Sequence, residues 1–248
     1  MNLFEHIGRF ILMIGQAFKK PEKWSVLRKN TVLEINSIGI SSLSIVALLS
    51  LFMGAVMVIQ TAANIDSPII PAYTVGFATR ESILLEFSST MICLILAGKV
   101  GSNIASEIGT MRLTEQIDAL EVMGVNSINH LVLPKIVAAI FIFPFLVLLS
   151  MGLGLIGGGL IGTQTGIITL EKYIMGLQYY FDPFSIWYSL IKTLFFAFFI
   201  ATIPSYFGYY VNPSGGALEV GRSGTKSVVA SSMAILILNL IITYFLLL

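Results

Sequence analysis

The stretch whose reading decides the fold is AGKVGSNIASEIGTMRLTEQIDALEVMG, residues 97–124. It opens as the tail of an apolar run and turns into a short amphipathic segment. Gly109 and Gly124 bracket that segment, where helix C-caps or breaks place glycine. Leu113, Ile117 and Leu120 fall at i, i+4 and i+7 and share one helical face. Thr114, Asp118 and Glu121 share another, with Glu115 beside them. The apolar stripe is far too short to cross a bilayer, which takes about 20 residues. The pattern predicts a brief, acidic-faced surface helix at the end of a membrane-buried run. By pattern alone it fits equally a helical cytoplasmic loop and an element offered to a soluble partner.

Composition sets the frame around it. The chain has 248 residues, 56% hydrophobic and 11% charged, with mean hydropathy +0.90. Soluble domains carry about a quarter charged residues, so this is a membrane protein. A net charge of +1 with no basic tail or stripe argues against a nucleic-acid partner. Cys93 is the single cysteine, so no intrachain disulfide forms; inside an apolar run it reads as a small buried hydrophobe. No cleaved signal peptide is predicted, because Lys19 and Lys20 follow the short run at 10–14.

Outward from residue 97 the chain divides into apolar runs and wet connections. Over 1–30, Leu3, Phe4, Ile7, Phe10, Ile11, Ile14 and Phe18 recur at helical spacing, and Lys19, Lys20, Lys23, Arg28 and Lys29 follow. This predicts an interfacial helix with its cations near anionic headgroups, or a helix packed on the protein itself. Five membrane spans are expected, near 38–61, 83–108, 131–162, 185–208 and 227–248. Residues 62–80, with Asp66, Pro68 and Pro71, read as an extracytoplasmic connection, as does 163–183, where Tyr173, Tyr179 and Tyr180, with Trp187 just beyond, suit an interfacial belt. Residues 209–226 read as a turn-rich inner loop. Cations collect on the N-terminal segment, around Arg112 and Lys135, and at Arg222 and Lys226, which puts the N-terminus in the cytoplasm. Arg80, Lys172 and Lys192 stay on the other side. The expected fold is one all-α, polytopic domain over 1–248: interfacial helix, five spans, and a surface helix at 110–124.

No motif for chemistry stands out. There is no Walker A, GxSxG or HExxH. The formal GxGxxG at 152–157 follows no strand; Gly154, Gly158 and Gly162 suit close helix packing in lipid instead. His6 and His130 read as interfacial histidines, and Asp118 and Glu121 lack a base, nucleophile or metal ligand beside them. No metal, no cofactor and no enzymatic activity are expected. Glu86 lies inside a span, where a carboxylate costs about 2.5–3.5 kcal/mol; it marks a cavity, a pathway or a paired charge, or it snorkels.

The quoted stretch, in its glycines, its Glu-Ile-Gly-Thr-Met turn and its Thr-Glu-Gln-Ile-Asp-Ala-Leu-Glu run, resembles the central signature of MlaE-type permeases. The Gly-Gly-Ala…Val-Gly-Arg segment in 208–229 is a second match. These are membrane subunits of bacterial phospholipid ABC systems that work with MCE-domain proteins. The resemblance implies that 110–124 is a coupling helix docking on a separate ABC ATPase. It assigns that contact to Glu107, Thr110, Met111, Arg112, Thr114, Glu115, Gln116, Asp118, Leu120 and Glu121. It implies a lipid pathway at Met57, Gln60, Thr61 and Glu86, although a Met such as Met57 equally packs against a neighbouring helix. The family's Arg-Glu-Leu-Gly-Pro-like run reads Leu85-Glu86-Phe87-Ser88-Ser89 here: the Glu is kept, the Arg, Gly and Pro are not, and the sequence alone names no charge partner for Glu86. A homodimer in the bacterial inner membrane follows from the same resemblance, with an MCE protein outside and room for a small cytoplasmic regulator. The rival is an ion- or proton-coupled secondary carrier using Glu86, but no inverted repeat supports it.

Overall fold

In lipid every backbone N–H and C=O must be satisfied within the segment, so long apolar runs have one local solution, the helix. The structure, a computed structural model, describes residues 3–19, 23–65 and 70–247. Among the described residues there is no strand. The helices are α1 Leu3–Ala17, α2 Trp24–Asn64, α3 Tyr73–Leu113, α4 Gln116–Val122, α5 Ser127–Gln164, α6 Leu170–Gln178, α7 Phe184–Tyr209 and α8 Gly216–Leu247. Five of them, α2, α3, α5, α7 and α8 with the turn before it, are long and apolar enough to cross a membrane. The all-α polytopic fold expected from sequence is the one observed.

Element boundaries depart from expectation for local reasons. The helix expected over 1–30 is two: α1 ends at Ala17, and α2 starts at Trp24 and runs on into the first span. Arg28 and Lys29 therefore ride on α2, while Lys20 lies outside the described residues. In the connection expected over 62–80, Asp66 and Pro68 lie outside the described residues, and the chain is helical again from Tyr73. Arg80, expected at the end of a wet connection, lies within a long helix, as does Lys192 in the expected fourth span. Gly109 does not end a helix; it lies inside α3, where a Cβ would come 3.2 Å from a Val220 methyl. The inner loop expected over 209–226 shrinks to a few residues and a 3-10 turn at Pro213–Gly215, because α8 starts at Gly216. There the hydroxyls of Ser223, Thr225 and Ser227 donate to carbonyls of the preceding turn and are satisfied within the helix.

The chain forms two compact units. The first comprises Met1–Ser41, Leu94–Phe143 and Phe195–Ile241, and the second Ser42–Cys93, Pro144–Leu194 and Ile242–Leu248. In the first unit α1 has two faces. Phe10 meets Tyr206 edge-on at 5.8 Å, His6 Nδ1 lies 2.8 Å from the Tyr206 hydroxyl, and Met13 and Ala17 are fully buried. Ile7, Ile11, Leu12 and Phe18 remain exposed. The helix thus rests on the protein and still offers an apolar face. Asn129 caps its end, donating from Nδ2 to the carbonyls of Ala17 and Lys19 at 2.7 Å each.

In the second unit α2 and α5 touch backbone to backbone. A Cβ on Gly54 would collide with the Gly154 carbonyl oxygen, and one on Gly157 with that of Leu51. One at Gly158 would come 2.8 Å from a Val58 methyl, and one at Gly162 2.9 Å from another. Small residues let helices approach closely where no hydrophobic effect drives them together. Interhelical hydroxyls add to this: Ser50 donates to Ser150 at 2.8 Å, and Ser150 to Ser88 at 3.3 Å. Arg80, almost wholly buried, donates to the carbonyls of Leu177 at 2.6 Å and Tyr179 at 3.0 Å and pairs with Glu81 at 2.5 Å. It thereby satisfies the exposed end of α6.

Candidate functional site

A helix as short as α4 does not stand alone, since isolated helices under about 12–15 residues are marginal in water. Several local devices hold it. Glu115 takes a left-handed conformation, φ 59°, and with Thr114 breaks the path from α3. The far end closes on Gly124, φ +80°, which a side chain would strain. Gly124 N–H donates to Glu121 O at 2.9 Å, and Val125 N–H to Leu120 O at 3.0 Å. This is a Schellman closure with its apolar pair, Leu120 and Val125, lining one cavity. Ile117 is fully buried, which contributes about 1.5–3 kcal/mol.

The acidic face stays exposed, and two of its carboxylates are tied to other helices. Asp118 Oδ1 accepts from Arg112 at 2.6 Å and ties α4 to α3. Glu121 Oε1 accepts from the Tyr209 hydroxyl at 2.8 Å and the Ser127 hydroxyl at 2.9 Å, which ties α4 to α7 and α5. Those two hydrogen bonds hold the Glu121 carboxyl below its ordinary range. Beside it the end of the helix is apolar and open: Val122 is 89% exposed and Met123 68%. Sequence reading missed both, because on a helical wheel neither falls on the stripe of Leu113, Ile117 and Leu120. The break at Thr114–Glu115 disrupts that stripe.

In the same unit Lys135, almost fully buried, donates to Glu34 Oε1 at 2.6 Å and Glu107 Oε2 at 2.7 Å. The three residues join α2, α3 and α5. Glu107, expected to face a partner, is one leg of this triad. Thr110 is exposed with its hydroxyl on Ser106 O, Met111 is half-buried, and Thr114, Glu115 and Gln116 are exposed.

In the second unit the charge partner of Glu86 is Lys192, at 2.9 Å and 106 residues along the chain. Lys192 is fully buried and also donates to the Tyr188 hydroxyl at 3.1 Å and the Leu85 carbonyl at 3.3 Å. Thr90 donates to the other Glu86 oxygen at 2.8 Å. Glu86 lies in a π-helical stretch, Ile83–Met91, whose wider turn frees carbonyls: Leu84 O accepts from Ser189, and Leu85 O from Lys192. The Glu86 side chain keeps 44% exposure. Met57 and Thr61 are half-buried and Gln60 exposed on α2. An apolar cavity of ≈ 390 Å³ in this unit is walled by α5 and α6, from Leu155 to Leu177, and by none of these four.

Comparison with known proteins adds to this geometry. A family model described as "Permease MlaE" matches residues 31–245. A probable ABC transporter permease protein of Rickettsia bellii is 36% identical over 247 residues, 98% of this chain and 93% of that protein. A protein of the same description from Synechocystis is 32% identical, covering 97% and 90%. The intermembrane phospholipid transport system permease protein MlaE of Haemophilus influenzae is 28% identical over 249 residues, covering 98% and 92%.

Proposed function

The chain belongs to the MlaE permease family and is an ABC transporter permease, and on that premise we propose that it moves phospholipid between the bacterial inner membrane and an extracytoplasmic MCE-domain protein. A separate ATPase drives it, and the chain itself carries no catalysis. The observation that carries this reading is α4, a seven-residue helix with Val122 and Met123 exposed at its end and Asp118 and Glu121 tied to neighbouring helices. An exposed apolar tip on an otherwise locked element is what a soluble partner's groove would take. Closure of the ATPase on ATP pushes α4. The Asp118 tie passes that push to α3, and the Glu121 ties pass it to α5 and α7.

In this reading the N-terminus and α4 are cytoplasmic, and two copies of the chain enclose the lipid. Glu86, with Met57, Gln60 and Thr61, lines its pathway. The buried Lys192 holds one Glu86 oxygen while the carboxylate stays partly exposed to a passing headgroup. The likeness to the Haemophilus influenzae permease supports the lipid cargo. A small cytoplasmic regulator has room beside the coupling helix.

Purification from native membranes, with identification of every bound protein and lipid, tests this. The wild-type chain is expected to bring an ATPase, an MCE-domain protein and phospholipid. Val122→Asp/Met123→Asp is expected to keep the lipid and lose the ATPase. Undiminished ATPase recovery from that variant would reject the docking role.

A further inference from the structure

We propose that a cavity beside α1, in the first unit, binds the headgroup of a zwitterionic aminophospholipid. The cavity measures ≈ 200 Å³, and His6, Arg9, Tyr206, Tyr210, Glu219 and Lys226 contribute to its lining. Its charges come as two cations and one anion: Arg9 and Lys226 against Glu219. A phosphodiester next to an ammonium matches this arrangement, phosphate to the cations and ammonium to the carboxylate.

The cations have capacity for a further acceptor. Lys226 reaches Glu219 only at 3.9 Å, and neighbouring Arg222 reaches it at 3.7 Å, both beyond good hydrogen-bond length. Arg9 pairs with Glu5 through one nitrogen at 2.8 Å and lies 5.9 Å from the Tyr210 ring centre, which leaves the rest of its fork of donors. Tyr206 is fixed from below by His6 and Phe10, so the aromatic wall is rigid.

The place suits a lipid rather than a soluble ester. The span α7 ends at Tyr209, within the run of residues that lines the cavity. Helix α1 exposes Ile7, Ile11 and Leu12, with Phe18 exposed just past its end, apolar side chains that acyl chains would cover, while its Arg9 lines the cavity. Glu219 repels free phosphate but pairs with an ammonium. The residues placed in the transport pathway, Met57, Gln60, Thr61 and Glu86, all belong to the other unit. This site therefore stands or falls independently of α4 docking and of the cargo.

The test is native mass spectrometry of the full chain, taken from bilayers of equal phosphatidylethanolamine and phosphatidylglycerol. Wild type is expected to retain phosphatidylethanolamine in preference. Arg9→Gln/Lys226→Gln is expected to lose about tenfold in retention, the loss of a charged hydrogen bond. Glu219→Gln is expected to abolish the preference between the two lipids. Elution profile and melting temperature check that each variant is folded. A variant that unfolds is replaced by wild type competed with soluble phosphoethanolamine, which should displace the lipid where inorganic phosphate does not. Unchanged retention in the double variant, equal retention of both lipids by wild type, or displacement by millimolar inorganic phosphate would each overturn the site.

Discussion

Lys135 and Lys192 are buried to the same degree, at 1% and 0% exposure, yet they are satisfied differently. Lys135, in the first unit, sits between two carboxylates from two other helices, Glu34 and Glu107. Lys192, in the second, has one carboxylate, one hydroxyl, one carbonyl and the Tyr188 ring, its centre 4.6 Å from Nζ. The first arrangement locks three helices with charge alone. The second satisfies the cation largely from neutral groups and leaves its carboxylate partly exposed. A buried cation that depends on carboxylates is a structural joint, whereas one with neutral support can lend its carboxylate to other work.

The largest effect expected from this contrast is at the joint. Lys135→Met leaves two carboxylates without their cation and should cost about 3–5 kcal/mol, read as a lower melting temperature in detergent. Adding Glu34→Gln and Glu107→Gln should recover most of it; no recovery would mean the charges are not what binds the helices. Glu86→Ala should cost less, about 1–3 kcal/mol, because Lys192 keeps its neutral partners. Glu86→Gln/Lys192→Met should melt near wild type yet fail in lipid transport. Normal transport by that pair would remove Glu86 from the pathway.

A smaller effect concerns pH. The folded state lowers the Glu121 carboxyl from its ordinary 4.5, so the anchoring it provides is whole above that value. It is lost as pH falls through the lower folded value. Glu121→Gln should flatten the acid limb of a melting-temperature profile below about pH 4.5 by lowering the neutral-pH value toward the acid one, with little change in acid itself. The smallest effect on stability is expected at the tip: Val122→Asp/Met123→Asp should stay within about 0.5 kcal/mol of wild type, because both side chains are exposed.

Much of this was legible in the sequence, and the rest was hidden for physical reasons. Apolar runs announced the five spans, since length and composition suffice in lipid. Glycine spacing announced the α2–α5 contact on the α5 side, through Gly154 and Gly158. Helix ends were less legible. Gly109 has the right residue type for a break but is used for the approach of Val220, and 216–226 looked like a loop but is helical. Ion partners were the hardest part. Glu86 finds Lys192 across 106 residues, a separation no local pattern encodes. The acidic face of α4 was visible, but its ties to Tyr209 and Arg112 and the exposed Val122 and Met123 beside it were not.

Docking of α4 on an ATPase can be tested with one thiol. Cys93 is the chain's single cysteine and is fully buried, so Met123→Cys supplies one exposed thiol. Treated in native membranes with a short bifunctional maleimide, that variant should give a covalent adduct with the ATPase subunit. Trp187→Cys, equally exposed but in the second unit, should give none. A Met123→Cys chain that never cross-links to the ATPase, or that is labelled by an impermeant reagent from the extracytoplasmic side, would contradict the coupling role of α4.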